Sequence, residues 1–257
     1  MAGEDRDEIG SLVKAFALLQ VFSAENPRVT ITSAAELAGL TRPTARRILI
    51  TCANHGFVES DGREFWLTPK IMRLGFGYLS ALPFWEPAMP KLRALAEEAN
   101  ESTSMAALDG HEIVYLLRQP VRPGLIPLNV GSRLPAHATS LGKALLAFAP
   151  AHDVEHFLAR APFEALTPST ITTAEAMRAE LERVRSAGYA ISDGERELGV
   201  RSAAAPVLGR GGVAVAAINI SANAVRISHE EMEERLVPLL VRTASLVSED
   251  VRFQGAI

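Results

Sequence analysis

Thr41, Arg42, Thr44, Arg46 and Arg47 form the densest chemical group in the chain. Arg42 and Arg46 stand four residues apart, so on a helix they share a face, with Thr44 and Arg47 beside them. A guanidinium grips phosphate oxygens and pairs bidentately with a guanine edge in the major groove, and a threonine hydroxyl reaches phosphate or base. Arg63 follows Asp61-Gly62, where it would sit at the tip of a turn and touch backbone or minor groove. The competing reading is a solvated, charged helix face.

The second group lies further on. Ala138-Thr139-Ser140-Leu141-Gly142 superficially matches a nucleophile elbow around Ser140, with His137 and Asp193 as triad partners. The first glycine is missing, no strand directly precedes the motif, and histidine before serine is the wrong chain order for that hydrolase fold. A hydrolase using Ser140 is therefore the weakest functional reading. Gly142-Lys143 fails as a phosphate loop, because Ala144 replaces the required hydroxyl residue and His137 the earlier glycine. Lys143 is accordingly expected at the surface or as a helix-capping charge. His152 and His156 are four apart but lack a catalytic glutamate correctly placed between them, so neither a metal site nor a cofactor is expected. The single cysteine, Cys52, excludes an intrachain disulfide and reads as a small buried side chain.

These groups need elements to hold them. Leu12 to Phe22 has helical spacing, and Asn26-Pro27 ends it. Ser33 with Glu36 has the spacing of a capping box opening a short helix, and Gly39 supplies the sharp turn after it. Thr41 caps the next helix, with Pro43 in its first turn, and that helix runs to about His55 with Ile48 and Leu49 facing inward. Two short helices across a Gly-Leu-Thr turn form a helix-turn-helix, and a hairpin around Asp61-Gly62 makes it the winged variant. Double-stranded DNA is the partner this arrangement implies. The net charge of −4 gives no support by itself, so the argument rests on where the arginines sit.

The rest of the chain reads as one mixed domain. Pro69 to Leu82 is helical, Pro83, Pro87 and Pro90 punctuate a crossing, and Leu92 to Ala99 is amphipathic. Strands are expected at Thr103–Leu108, Ile113–Leu117, Ile126–Val130, Val200–Val207 and Val213–Ser221. Helices are expected at Ser140–Phe148, at Asp153–Arg160, at Thr173–Ala187 boxed by Thr172 and Glu175, and from Ser228 to about Val251. The fold class is α+β: a winged helix-turn-helix over 1–69, a linker helix over 70–85 and an effector domain over 86–257. The start of the Ser140 helix presents free N–H groups at Ser140 and Leu141, which favour a carboxylate. Asn219 and Ser221 point to one face of a strand. Arg118, Arg122, Arg133 and Arg201 would balance an acidic ligand or lie at the surface, and His137 would touch the ligand or serve a structural hydrogen bond.

Ser11 to Leu79 resembles the DNA-binding domain of IclR-type regulators, and VGSRLPAHATSLGKALLA (Val130–Ala147) and GYAISDGERELGVRSAAAPV (Gly188–Val207) are close to that family's signatures. The Val-Gly-Ser-Arg-Leu-Pro-Ala run is most similar to regulators of aromatic-acid breakdown through the β-ketoadipate route. The resemblance implies a GAF-like effector domain, a homodimer or homotetramer, and an effector held against the Ser140 helix and at Ser192 or Asp193, Ser202, Asn219 and Ser221. The implied effector is an aromatic acid or its ring-cleavage product, with a non-aromatic small carboxylate as the alternative. No apolar run is long enough to span a bilayer, and the acidic start Glu4, Asp5, Asp7, Glu8 lacks the order of a secretory signal, so a cytoplasmic location is expected.

Overall fold

The computed structural model describes residues 8–121 and 128–253. The chain divides into two compact units, Met1–Ala81 and Leu82–Ile257. Among the described residues no helix is long and apolar enough to cross a membrane.

The first unit runs α1 (Gly10–Leu19), β1 (Val29–Thr30), α2 (Ile31–Leu37), α3 (Arg42–Asn54), β2 (Val58–Ser60), β3 (Glu64–Leu67) and α4 (Met72–Ala81). Helix α1 stops short of Phe22, and the Ser23 hydroxyl takes up the amides of Glu25 and Asn26 to turn the chain before Pro27. The N-cap of α2 is Thr30, three residues ahead of the expected Ser33, and the two residues exchange side-chain and backbone hydrogen bonds in a reciprocal box. Extended backbone at Thr30 decides this, because the same residue ends β1. Gly39 takes φ +64°, a left-handed value that glycine adopts without strain, and α3 begins three residues later. Strand β3 lies between β1 and β2, antiparallel to both, so the hairpin is one side of a three-stranded sheet. Leu18, Val29, Ala34, Ala45, Leu49 and Phe65 form the core, with Ile48 partly buried beside them.

The second unit opens with α5 (Trp85–Ala99), which contains both Pro87 and Pro90. Pro87 falls in the first turn, where amides lack an acceptor, so it does not break the helix as the punctuation reading expects. Strands β4 (Ser102–Asp109), β5 (Glu112–Gln119) and β6 (Arg133–Pro135) follow, then α6 (Ser140–Ala147), α7 (Ala151–Arg160) and α8 (Ala174–Ala187). Of the expected third strand, Ile126 and Pro127 lie outside the described residues, as does Arg122, and Leu128–Val130 is irregular. The cap of α8 is Thr173 rather than Thr172, and its hydroxyl accepts from the Ala176 amide. Strand β7 (Ala190–Asp193) was not foreseen. It precedes β8 (Val200–Leu208) and β9 (Ala214–Asn223). The chain then forms α9 (His229–Glu231), a π-helical turn at Met232–Leu236, and α10 (Val237–Phe253). Ser228 caps α9.

The six strands form one antiparallel sheet in the order β6-β5-β4-β9-β8-β7. One face carries α5 and α10: Thr103 donates to the Leu92 carbonyl of α5 (3.0 Å), and Ser248 of α10 accepts from the Leu208 amide (2.9 Å). The other face packs against α6, with α7 and α8 outside it, burying Tyr115, Leu141, Leu145, Phe157, Met177 and Leu181. Strand register on this second face sets Ser221, Ser202 and Ser192 in one row, and Asn219 with Ser104 in the next.

Candidate functional site

In the first unit, α3 buries Ala45, Leu49 and Cys52 and thereby turns Arg42, Arg46 and Arg47 outward. All three are exposed, and none enters an ion pair among the described residues. Thr41 caps the helix: its hydroxyl accepts from the Thr44 amide (3.4 Å) and lies 2.9 Å from the Thr44 hydroxyl. The cap leaves the arginine-bearing first turns intact. Asp61 ties the hairpin tip by accepting the amides of Arg63 (2.9 Å) and Glu64 (2.8 Å), and these bonds hold its carboxyl below the usual value. Arg63 is exposed at that tip, whereas Arg28 is engaged with Asp61, Glu64 and the Trp66 ring. The arginine face is therefore a cluster of uncompensated charge in a chain that is acidic overall. Burial pushes the Cys52 thiol up, as the core reading expects.

In the second unit a cavity of about 90 Å³ lies between the start of α6 and the sheet. Ser140, Leu141, Ser192, Ser202, Asn219 and Ser221 all line it. The Ser140 and Ser202 hydroxyls are 2.8 Å apart, and Ser192 donates to the Ala138 carbonyl (3.3 Å). Thr139 caps α6 through the Gly142 amide (3.1 Å), which leaves the amides of Ser140 and Leu141 without an acceptor among the described residues. Asn219 is 4% exposed, and its side-chain oxygen is buried with no hydrogen-bond partner. Two unbonded amides on α6 and an unbonded carboxamide oxygen on the facing strand β9 are costly unless a ligand or solvent completes them.

Two of the expected positions lie elsewhere. His137 is buried but outside the cavity: it donates Nε2–H to the Glu164 carbonyl (3.0 Å) and meets the Phe163 ring edge-on. Asp193 faces away and pairs with Arg201 (2.7 Å), which also donates to the carbonyls of Ala224 and Ile227. His137, Ser140 and Asp193 thus each have a separate partner and do not form a relay. His152 pairs with Asp153 and His156 meets Arg160, and among the described residues no group of three metal-ligating side chains assembles.

The cavity also contains residues the sequence reading left aside. Tyr115, Leu128, Leu134 and Val200 supply apolar wall, and Arg196 with Glu197 reach it from the loop after β7. Arg118 is half-buried in this wall; it donates to the Ser104 hydroxyl (3.2 Å) and has no carboxylate partner among the described residues. Arg133 is exposed and bridges Asp109 and Glu112. The largest correction concerns Lys143, which is 1% exposed instead of being a surface charge. Its ammonium donates to Glu195 (2.6 Å), Glu180 (3.0 Å) and the Ile191 carbonyl (2.6 Å). Burial raises the Glu195 carboxyl despite Lys143, while the bonds from Arg183 and Lys143 lower that of Glu180.

An outward arginine face on a winged helix-turn-helix, followed in the same chain by a domain with an unsatisfied polar cavity, defines a DNA-binding regulator with an effector domain. Residues 76–249 match the family described as bacterial transcriptional regulator IclR C-terminal, and residues 11–62 match the IclR helix-turn-helix domain. The chain belongs to the IclR family of transcriptional regulators. The Pca regulon regulatory protein of Pseudomonas putida is 35% identical over 239 residues, 92% of this chain and 82% of its own. The crystal structure of a transcriptional regulator from Rhodococcus sp. RHA1 is 40% identical and superposes with a TM-score of 0.81, covering 95% of this chain and 98% of that one. An IclR homologue of Microbacterium hydrocarbonoxydans, crystallised with 4-hydroxybenzoate, is 26% identical with a TM-score of 0.81, over 94% and 98% of the two chains.

Proposed function

We propose that this regulator controls catabolic genes in response to a small aromatic acid or its ring-cleavage product, held in the cavity between α6 and the sheet. The observation that carries the reading is the unbonded set of Ser140 and Leu141 amides and the Asn219 side-chain oxygen. The amides at a helix start suit a carboxylate, Arg118 adds charge to balance it, and Asn219 suits a ring hydroxyl. The 4-hydroxybenzoate bound by the Microbacterium homologue has both groups, which supports an aromatic effector over a non-aromatic acid. The order and placement of the strands support a GAF-like reading of this domain. Thr41, Arg42, Thr44, Arg46 and Arg47 of α3, with Arg63 of the wing, contact DNA. A cytoplasmic homodimer or homotetramer would present two such helices to a roughly palindromic operator. The effector acts by its difference in affinity for two arrangements of the heads, transmitted through α4.

A thermal-shift screen of benzoates and small dicarboxylates tests the effector, because a ligand bound only by the native state raises the melting temperature. Ser202→Leu and Asn219→Leu should each abolish the shift while leaving operator binding without effector intact. A screen with no stabilising acid overturns the effector reading.

A further inference from the structure

The function proposed above makes no use of Lys143, although a buried ammonium with three protein acceptors is a costly thing to build. Its acceptors come from three places: Glu180 on α8, the Ile191 carbonyl on β7, and Glu195 in the loop after β7. Lys143 itself stands on α6, in the first turn after the Ser140 and Leu141 amides. Each tie to β7 or its loop ends next to the cavity: Ile191 precedes Ser192, and Glu195 precedes Arg196 and Glu197, all three of which line it. The loop is gripped a second time from behind. Thr170 donates to the Glu195 carbonyl (2.6 Å), and Thr167 to the carbonyls of Gly194 (2.7 Å) and Glu195 (3.2 Å).

We propose that Lys143 and Glu195 are positioning residues for the effector cavity: their ion pair fixes the Arg196–Glu197 rim against the start of α6, so that the two walls meet the ligand already ordered. Neither residue touches the ligand. An apolar pair of similar volume would fill the space with less desolvation, and an ion pair with a defined angle at Nζ instead sets where the loop lies. Glu180 holds the same ammonium from the side of α8, and Arg183 engages that carboxylate (2.8 Å), so this arm leads away from the cavity. The two arms of one cation therefore have different consequences.

The inference rests on the cavity being the effector site, and the test separates the two ideas. Glu195→Gln, Glu180→Gln and the double variant Lys143→Met/Glu195→Gln, which strands no charge, are compared with the wild-type full-length chain. Hydrogen exchange of residues 194–199 without ligand is the first readout. Calorimetric titration with 4-hydroxybenzoate, at a temperature where melting curves show every variant native, is the second. We expect faster exchange in the loop and about tenfold weaker binding for Glu195→Gln and the double variant, the order expected when two rotamer-rich side chains must be ordered at binding. Glu180→Gln is expected to change the melting temperature alone. Loop exchange at the wild-type rate in the double variant, or equal loss of binding in the two glutamine variants, overturns the positioning role. If wild-type protein ignores 4-hydroxybenzoate, the effector reading is what fails, and the exchange comparison still decides this one.

Discussion

Gly142→Ala is the sharpest perturbation the effector domain offers. A Cβ at residue 142 would fall 2.1 Å from the Ala136 carbonyl oxygen, 2.4 Å from its Cα and 2.6 Å from its carbonyl carbon. Non-bonded heavy atoms rest at about 3.5 Å or more, so the backbones must separate by about 1 Å or more. The three clashing atoms are main chain, and no rotamer change relieves them. Overpacking of this kind costs about 1–3 kcal/mol, and the absence of a flexible neighbour places it at the upper end. Alanine returns about 1 kcal/mol of helix propensity, leaving a net loss of about 2 kcal/mol. A domain of this size loses about 2–4 °C per kcal/mol, so the melting temperature should fall by about 4–8 °C. The same displacement moves Ala138, Thr139 and Ser140, which line the cavity, so 4-hydroxybenzoate affinity should fall with it. Scanning fluorimetry and calorimetric titration read both effects. A melting temperature within about 1 °C of wild type with unchanged affinity would refute the close approach of α6 to the Ala136 turn.

Three further outcomes are expected. Arg46→Ala and Arg47→Ala should each weaken operator binding about fivefold or more in gel-shift titrations and flatten its salt dependence, while effector binding is unchanged; unaltered DNA affinity in both refutes the role of α3. Cys52 should react with a maleimide only as the first unit unfolds, because burial raises its thiol; fast labelling of native protein would contradict its place in the core. Glu195 is held above the usual carboxylate value, so its ionisation in the folded state costs stability as pH rises through that raised value. Glu195→Gln should accordingly compare more favourably with wild type at pH 7 than at pH 4.5 in melting curves, and a gap that does not change with pH argues against the burial cause.

The helix-turn-helix was legible because its signals are local. Thr41, Pro43 and Gly39 each act within one turn of chain, and the arginines follow from helical spacing once the cap is placed. The same locality misled at Ser33 and Thr172, each followed three residues later by a glutamate, whereas the caps are Thr30 and Thr173, which are followed at that spacing by Ser33 and Ala176 and were set by extended backbone at the cap. Pro90 suggested a break, but tertiary burial of Leu92, Leu95 and Ala99 on the sheet outweighed its local cost. The cavity was half visible. Ser140 and Leu141 were found from the free ends of a helix and Arg118 was one of four candidate arginines, whereas Tyr115 and Arg196 reach the same space from a strand and a loop whose pairing the sequence does not state. Lys143 was the clearest failure, because a lysine reads as exposed until Glu195, 52 positions away, is known to stand beside it.

Thr30 ends a strand by pairing with Glu64 of the hairpin and, with the same backbone, opens α2, the helix that precedes α3. One residue is thus a joint shared by the sheet and the helix. A change at Thr30 is therefore expected to reach both the α2 cap and the pairing of β1 with β3. Sheet edge and helix cap in the first unit are thus one local structure, and a substitution that disturbs either is expected to disturb both.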